Sequence, residues 1–236
     1  MAHAPRRTDV TGSALVRLLG RLAEAGAPAS NQVFPERLSQ WLGWADAISL
    51  HAALGGAAVP AAATPGPAAP SPVVRALADE SRRLHASLRQ AIDTPPAGDA
   101  ADDAGEPAAV PDFAPLRRLY RSRQQAMEAA IGPLRARLRQ ALAAQSAAGA
   151  RLAEVDAVMT QVLAPQERRL LATVPGLLEP RLRRLAASQA EAGPAAWRPL
   201  FRQELQAVLR AELDIRFQPV LGLLAALGVK QAFEHD

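Results

Sequence analysis

The residues best suited to chemistry in this chain are arginines, and they are densest between residues 115 and 140. That stretch, PLRRLYRSRQQAMEAAIGPLRARLRQ, holds seven arginines against a single acid, Glu128. Guanidinium groups in such numbers suit a phosphate backbone, so nucleic-acid binding is one hypothesis. The alternative is the solvated outer face of an amphipathic helix, favoured because Tyr120 is the one aromatic residue in the stretch. The candidate nucleic-acid or anion-binding residues are Arg117, Arg118, Arg121, Arg135 and Arg139.

Two tryptophans, Trp41 and Trp44, stand three residues apart in ERLSQWLGWADAISLHAAL, residues 36–54. Exposed tryptophans often anchor protein partners, so both are candidate partner-binding residues. They also supply bulk that a small N-terminal unit would need for its core, and this interpretation is favoured.

A second candidate docking element is the apolar C-terminal segment PVLGLLAALGVKQAF, residues 219–233. The alternative, given equal weight, is a last helix that packs in the core. The residues that would contact a partner are Leu221, Leu224 and Leu227.

Catalytic and metal-binding chemistry find little support in the sequence. The chain has no cysteine, and its four histidines show no spacing typical of metal ligands. His51 lies in apolar surroundings and is interpreted as packed, although a polar pocket holding it with Asp46 would revive an enzyme hypothesis. We therefore expect no catalytic residues, no metal and no cofactor.

Neighbouring acids such as Glu212 and Asp214 do not share a helix face. The same holds for Glu154 and Asp156. These carboxylates are expected to be solvated, or paired with an arginine three or four residues away, as Glu80 would be with Arg83.

The elements that position these residues are predicted to be helices throughout, an all-α fold. Strong helix formers dominate, aromatic residues make up 4%, and no sustained strand-like alternation occurs. The predicted plan is a small N-terminal helical unit joined by disordered Pro/Ala and acidic linkers to an elongated C-terminal bundle with Pro-kinked helices. Its parts are a tail (1–10), the N-terminal unit (11–56), a Pro/Ala linker (57–71), a helix (72–92), an acidic linker (93–111), the C-terminal bundle (112–230) and a tail (231–236).

Prolines are expected to shape the bundle. Gly132-Pro133 and Pro165 should kink or break their helices, VPGLLEP should form a turn, and Pro219 should open a separate final helix. The predicted helices run over about 113–146, 149–173, 178–191 and 195–217.

Charge and hydropathy point to a cytoplasmic protein without a transmembrane segment. The formal net charge is +4, and 26 of the 27 basic residues are arginine, a bias that a GC-rich genome also produces. The longest apolar stretch is well short of the roughly 20 residues that a spanning helix needs. No secretory signal is recognised at the N-terminus.

The N-terminal residues TGSALVRLLGRL and FPERLSQWLGWADAISLHAAL, within residues 11–54, resemble the opening of an uncharacterised proteobacterial family, a domain of unknown function. The shared pattern is T-G-S-x-L-V followed by E-R-L-x-x-W-L-x-W-x-D-A-I-x-L. The family has no established activity, so the resemblance implies no catalytic residues. It does imply an accessory role beside a bacterial cell-envelope complex, because such members lie near genes for envelope and OmpA-like proteins.

The leading hypothesis is a non-enzymatic helical interaction or assembly protein that self-associates or binds a partner through helix faces. The alternative is an arginine-mediated nucleic-acid-binding protein that uses residues 115–140. An enzyme of unrecognised type is the third hypothesis.

Overall fold

The computed structural model describes residues 14–24, 70–94, 112–188 and 197–229, and no strand occurs within these ranges. The all-α prediction is confirmed. The described helices are α1 (Ala14–Glu24), α2 (Pro72–Asp93), α3 (Ala114–Gln145), α4 (Ala147–Leu171), α5 (Val174–Ser188) and α6 (Trp197–Ala226).

Helix α2 begins where its sequence predicts. The Ser71 hydroxyl accepts a hydrogen bond from the Val74 amide at 3.3 Å, which satisfies one of the four free N–H groups of the first turn. Pro72 follows the cap, at a position where a missing N–H costs nothing. Cap and proline together fix the start of the helix at the boundary expected for a helix over 72–92.

Helices α3 and α4 form a hairpin joined by a single residue, Ser146. The Ser146 hydroxyl accepts a hydrogen bond from the Gly149 amide at 3.0 Å and so caps α4. A Cβ on Gly149 would lie 2.2 Å from the backbone oxygen of Leu142. Gly149 is therefore required by the close approach of the two helices at this corner.

Two of the expected proline breaks are absent from the structure. Helix α3 continues through Pro133 and α6 continues through Pro219, so Pro219 does not open a separate helix. A proline removes one backbone hydrogen bond, but buried neighbours hold the helix on both sides. In α6 these neighbours are Phe217 and Val220, which are 1% and 0% exposed.

The predicted turn VPGLLEP is also wrong, because it forms the start of α5. The turn lies earlier, at Ala172 and Thr173. Pro175 sits in the first turn of α5, where an amide would have no intrahelical partner. Val174 and Leu178 are both fully buried, and their packing favours the helix. Pro165 likewise lies inside α4 without ending it.

Helix α6 is the centre of the described bundle and packs against α1, α2, α3 and α5. Helix α3 in turn packs against α2, α4 and α5. The core between them is mostly aliphatic, with buried Tyr120, Phe201 and Phe217, and each fully buried Leu, Val or Phe contributes about 1.5–3 kcal/mol. At its C-terminal end α6 is closed by Gly228, whose φ of 81° suits glycine.

The N-terminal helix α1 shares this core. Leu15 and Leu19 are 0% and 2% exposed and belong to the same cluster as the buried residues of α3 and α6. Helix α1 packs on α5 and α6. Most of the proposed N-terminal unit (11–56) and both linkers lie outside the described residues, so the division into domains stays a prediction.

Candidate functional site

The arginines of the second half of α3 bind carboxylates of neighbouring helices. Arg135 donates hydrogen bonds to both carboxylate oxygens of Asp156 on α4, with Nε 2.8 Å from Oδ2. Arg139 donates to the same Oδ2 at 3.1 Å and to the Thr160 hydroxyl at 3.3 Å. Arg135 and Asp156 are each only 17% exposed, so this pairing is well protected from solvent. These two guanidinium groups hold α3 to α4.

Arg137, between them, turns to the other side of α3 and pairs with Glu80 on α2. Glu80 was expected to pair with Arg83 on its own helix, and its observed pairing with Arg137 corrects that expectation. Both side chains are substantially exposed, so the pair adds little stability. Its effect is to align α2 with α3.

The first half of α3 presents its arginines differently. Arg117 lies 2.5 Å from Glu179 of α5, and Arg183 of α5 lies 2.7 Å from the same carboxylate. Arg118 and Arg121 are exposed, and neither forms an ion pair with any residue that the structure describes. Of the five arginines proposed for nucleic-acid binding, three are thus paired with acids and two face solvent.

The inner side of the same half of α3 contacts a buried acid, Glu212 of α6, which is 0% exposed. Its carboxylate accepts a hydrogen bond from the Tyr120 hydroxyl at 2.7 Å and from the Gln124 amide at 3.0 and 3.1 Å. Arg216, one turn along α6, donates to it at 2.9 Å. Burial, and then the negative charge of Glu212, raises the pKa of the Tyr120 hydroxyl well above its ordinary value.

A second acid, Glu167 of α4, shares the guanidinium of Arg216 at 3.4 Å. Burial raises the pKa of the Glu167 carboxyl, and the charges of Arg216 and Arg135 oppose that rise only partly. One arginine thus lies between two carboxylates where α3, α4 and α6 meet. Unpaired, any of these groups would cost several kcal/mol. Together they fix the register of the three helices.

The corner between α4 and α5 gathers further arginines beside the first half of α3. Gln124 donates a hydrogen bond to the backbone oxygen of Leu171 at 2.9 Å, which places the end of α4 against α3. Arg168 lies 3.3 Å from Glu128 of α3. Arg169 is exposed. We call this group the corner cluster; its members are Arg117, Arg118, Arg121, Arg168, Arg169 and Arg183.

Helix α4 carries an apolar row beside the side that packs on α3. Gly149 and Ala153 are buried, and Asp156 faces the arginines of α3, so this side of the helix packs on the bundle. Leu152 and Val158, on other sides of the helix, are 39% and 52% exposed. We call the outward group the α4 row; its members are Leu152, Val155, Val158 and Met159, of which Val155 and Met159 are partly exposed.

The C-terminal docking candidates are buried or partly buried in the core and do not form an exposed surface. Leu224 and Leu227 are 1% and 3% exposed and belong to the core cluster, and Leu221 is partly buried against it. The described part of the segment, residues 219–229, is the C-terminal end of α6 and contributes to the core rather than forming a separate helix. Trp41, Trp44, His51 and Asp46 lie outside the described residues.

The described part of the chain holds neither a metal-binding group nor a membrane-spanning helix. No three acidic or histidine side chains there converge as ligands for a metal ion. No described helix combines the length and apolarity needed to cross a membrane.

Sequence reasoning missed the buried acids and the corner cluster. Asp156 was expected to be solvated or paired within its own helix, whereas its partners Arg135 and Arg139 come from α3. Glu212 does pair with Arg216 four residues on, as expected for a helical acid, but its burial and its hydrogen bonds from α3 were not predicted. Glu212 does follow the helical pattern of burial, since Val208 and Leu209, four and three residues before it, are buried. A carboxylate among apolar neighbours, four residues before Arg216, was the signal available.

Comparison with known proteins gives a family and no activity. A family model described as "Protein of unknown function (DUF3348)" matches residues 1–229. No curated protein and no solved structure matches the chain significantly. The resemblance to an uncharacterised family is thereby confirmed.

Proposed function

The chain belongs to DUF3348, a family of proteins of unknown function, and we propose that it is a non-enzymatic assembly protein. It binds an amphipathic helix of a partner protein on the α4 row. The single observation that carries the proposal is the partly exposed apolar row of α4, which adjoins the side of this helix that packs on α3.

The spacing of the row suits a partner helix. Leu152, Val155 and Met159 are separated by three and four residues, and Val158 lies beside them, so they form one stripe along the helix. Scattered exposed aliphatic residues are common on protein surfaces, but a continuous stripe is typical of an interaction site. Helical ligands bind such stripes through apolar residues at the same spacing.

Charge supports a heterologous partner over a second copy. Arg151 lies seven residues before Val158 and Arg169 eleven residues after it, which is close to whole numbers of turns. Both arginines are exposed on the side of the row. Two copies of α4 in antiparallel contact would bring these like charges together. A partner helix with acidic ends would complement them.

The test is photocrosslinking in the native cell with a photoreactive amino acid at position 158. The control is the same amino acid at Gln125, which is exposed on α3. We expect one protein to crosslink from position 158 and not from position 125. We also expect Leu152→Ser to abolish that crosslink without changing the circular dichroism spectrum or the melting temperature.

Identical crosslinks from both positions, or none from position 158, would contradict the proposal. A crosslink to a second copy of this chain would replace the heterologous partner by self-association. The family resemblance adds the proposal that the partner belongs to a cell-envelope complex, and the identity of the crosslinked protein tests this directly.

A further inference from the structure

We infer that the corner cluster is a recognition surface for an acidic polypeptide segment. This inference rests on the proposed function, because it assigns a chemistry to one end of the same partner. It concerns a different surface from the α4 row, and the two can be tested separately.

The placement of the cluster follows from contacts between three helices. Gln124 binds the last carbonyl of α4, and Arg168 on that last turn approaches Glu128 of α3. On the other side, Arg117 of α3 and Arg183 of α5 meet at Glu179. The ends of α4 and α5 are thus held against one stretch of α3.

Charge in this region is strongly unbalanced. Six arginines of the cluster share two carboxylates, Glu128 and Glu179, so four positive charges remain in excess. Arg118, Arg121 and Arg169 are exposed and form no ion pair with the described residues. Arg118 and Arg121 lie one turn apart on α3, so they present their guanidinium groups together.

A carboxylate ligand fits the cluster better than a nucleic acid. Glu179 already receives two arginines, so the local geometry suits a carboxylate bridging two guanidinium groups. Single-stranded nucleic acid needs exposed aromatic rings for stacking. The one aromatic residue in this stretch, Tyr120, is fully buried and bound to Glu212.

Continuity with the α4 row favours a single partner for both surfaces. Arg169 follows Val158 by eleven residues, three turns or about 16 Å along the same side of α4. A helix bound on the row would therefore direct one end toward the corner cluster. Acidic residues at that end would meet the excess positive charge.

The experiment measures binding of fluorescein-labelled poly-glutamate to the full chain by anisotropy at low salt. The cluster variant combines Arg118→Gln, Arg121→Gln and Arg169→Gln. Its matched control combines Arg17→Gln, Arg83→Gln and Arg89→Gln, which remove the same charge from exposed positions on α1 and α2. We expect the cluster variant to weaken binding about tenfold or more, and the control to weaken it less than about threefold.

Equal weakening by both variants would show a response to net charge alone and overturn the inference. Tighter binding of a labelled single-stranded DNA that the cluster variant abolishes would also overturn it, in favour of a nucleic-acid surface. Failure at position 158 in the crosslinking assay, with poly-glutamate binding intact, would remove the proposed function and leave the acidic-segment surface standing.

Discussion

Both halves of α3 are rich in arginine, but the arginines have different roles in the two halves. In the second half, Arg135 and Arg139 converge on Asp156 of α4. In the first half, Arg118 and Arg121 face solvent, and the contacts inside the bundle come from the uncharged side chains Tyr120 and Gln124.

The difference shows that an arginine-rich helix has no single role. Where a neighbouring helix supplies a half-buried carboxylate, as α4 does with Asp156, the guanidinium groups hold helices together. Where the acid lies deep in the core, as Glu212 does, α3 reaches it through neutral donors, and the guanidinium that binds it comes from Arg216 of α6. The acids of the neighbouring helices therefore decide which arginines remain available for a ligand.

The largest expected effect is that of Glu212→Ala, which tests whether the buried network anchors the first half of α3. It would leave Arg216, Tyr120 and Gln124 without their common acceptor in the core, and such a loss costs about 3–5 kcal/mol. Chemical denaturation followed by circular dichroism measures the free energy of unfolding. Glu212→Gln should cost less, because it keeps part of the hydrogen bonding. A loss below about 1 kcal/mol for the alanine variant would show that the buried network does not anchor the first half of α3.

Asp156→Ala tests the second half of α3, whose arginines bind α4. It removes the carboxylate shared by Arg135 and Arg139, and hydrogen bonds to charged groups contribute about 1.5–3 kcal/mol. The matched control is Glu154→Ala, an exposed acid on the same helix, for which we expect a change within about 0.5 kcal/mol. Equal effects of the two substitutions in thermal and urea unfolding would mean that Asp156 does not hold the hairpin.

Glu167 gives the junction of the three helices a pH dependence. Burial raises the pKa of the Glu167 carboxyl in the folded chain, so protonation of this carboxyl favours the folded state. The resulting stabilisation is fully present below the unfolded pKa, near 4.5. That contribution is lost as the pH rises through the raised folded pKa. We expect Glu167→Gln to raise the melting temperature at neutral pH, and the difference from the unmodified chain to shrink as the pH falls toward 4.5. A variant that is less stable at neutral pH would contradict this assignment.

The smallest expected effect is that of Val158→Glu in the α4 row. Because Val158 is 52% exposed, its replacement should change the free energy of unfolding by no more than about 0.5 kcal/mol. A larger loss in denaturant titrations would mean that the row packs within the protein, and would remove it as a docking surface.

Helical periodicity predicted much of this fold from the sequence. The helix expected over about 113–146 is observed as α3, and its large apolar residues Tyr120, Met127, Leu134, Leu138 and Leu142 are buried. A regular repeat of large apolar side chains places them on one face whatever the neighbouring helices are. The existence of most helices therefore followed from local pattern alone.

Helix ends and charge partners could not be predicted in the same way. Pro133 was expected to kink or break its helix and Pro219 to open a new one, yet both helices continue, because packing on both sides of each proline outweighs one lost hydrogen bond. Asp156 binds arginines of α3, and Glu212 accepts hydrogen bonds from α3 besides its local partner Arg216, at sequence separations that no local pattern encodes. The split between held and free arginines depends on these long-range contacts, so the sequence alone did not separate them.

The most direct test of that split compares two double variants that remove the same charge from the same helix. One combines Arg135→Gln with Arg139→Gln, and the other combines Arg118→Gln with Arg121→Gln. Urea unfolding should show a loss of about 2 kcal/mol or more for the first pair and a change within about 0.5 kcal/mol for the second. Equal losses for the two pairs would contradict the account in which Arg135 and Arg139 hold α3 to α4 while Arg118 and Arg121 face solvent.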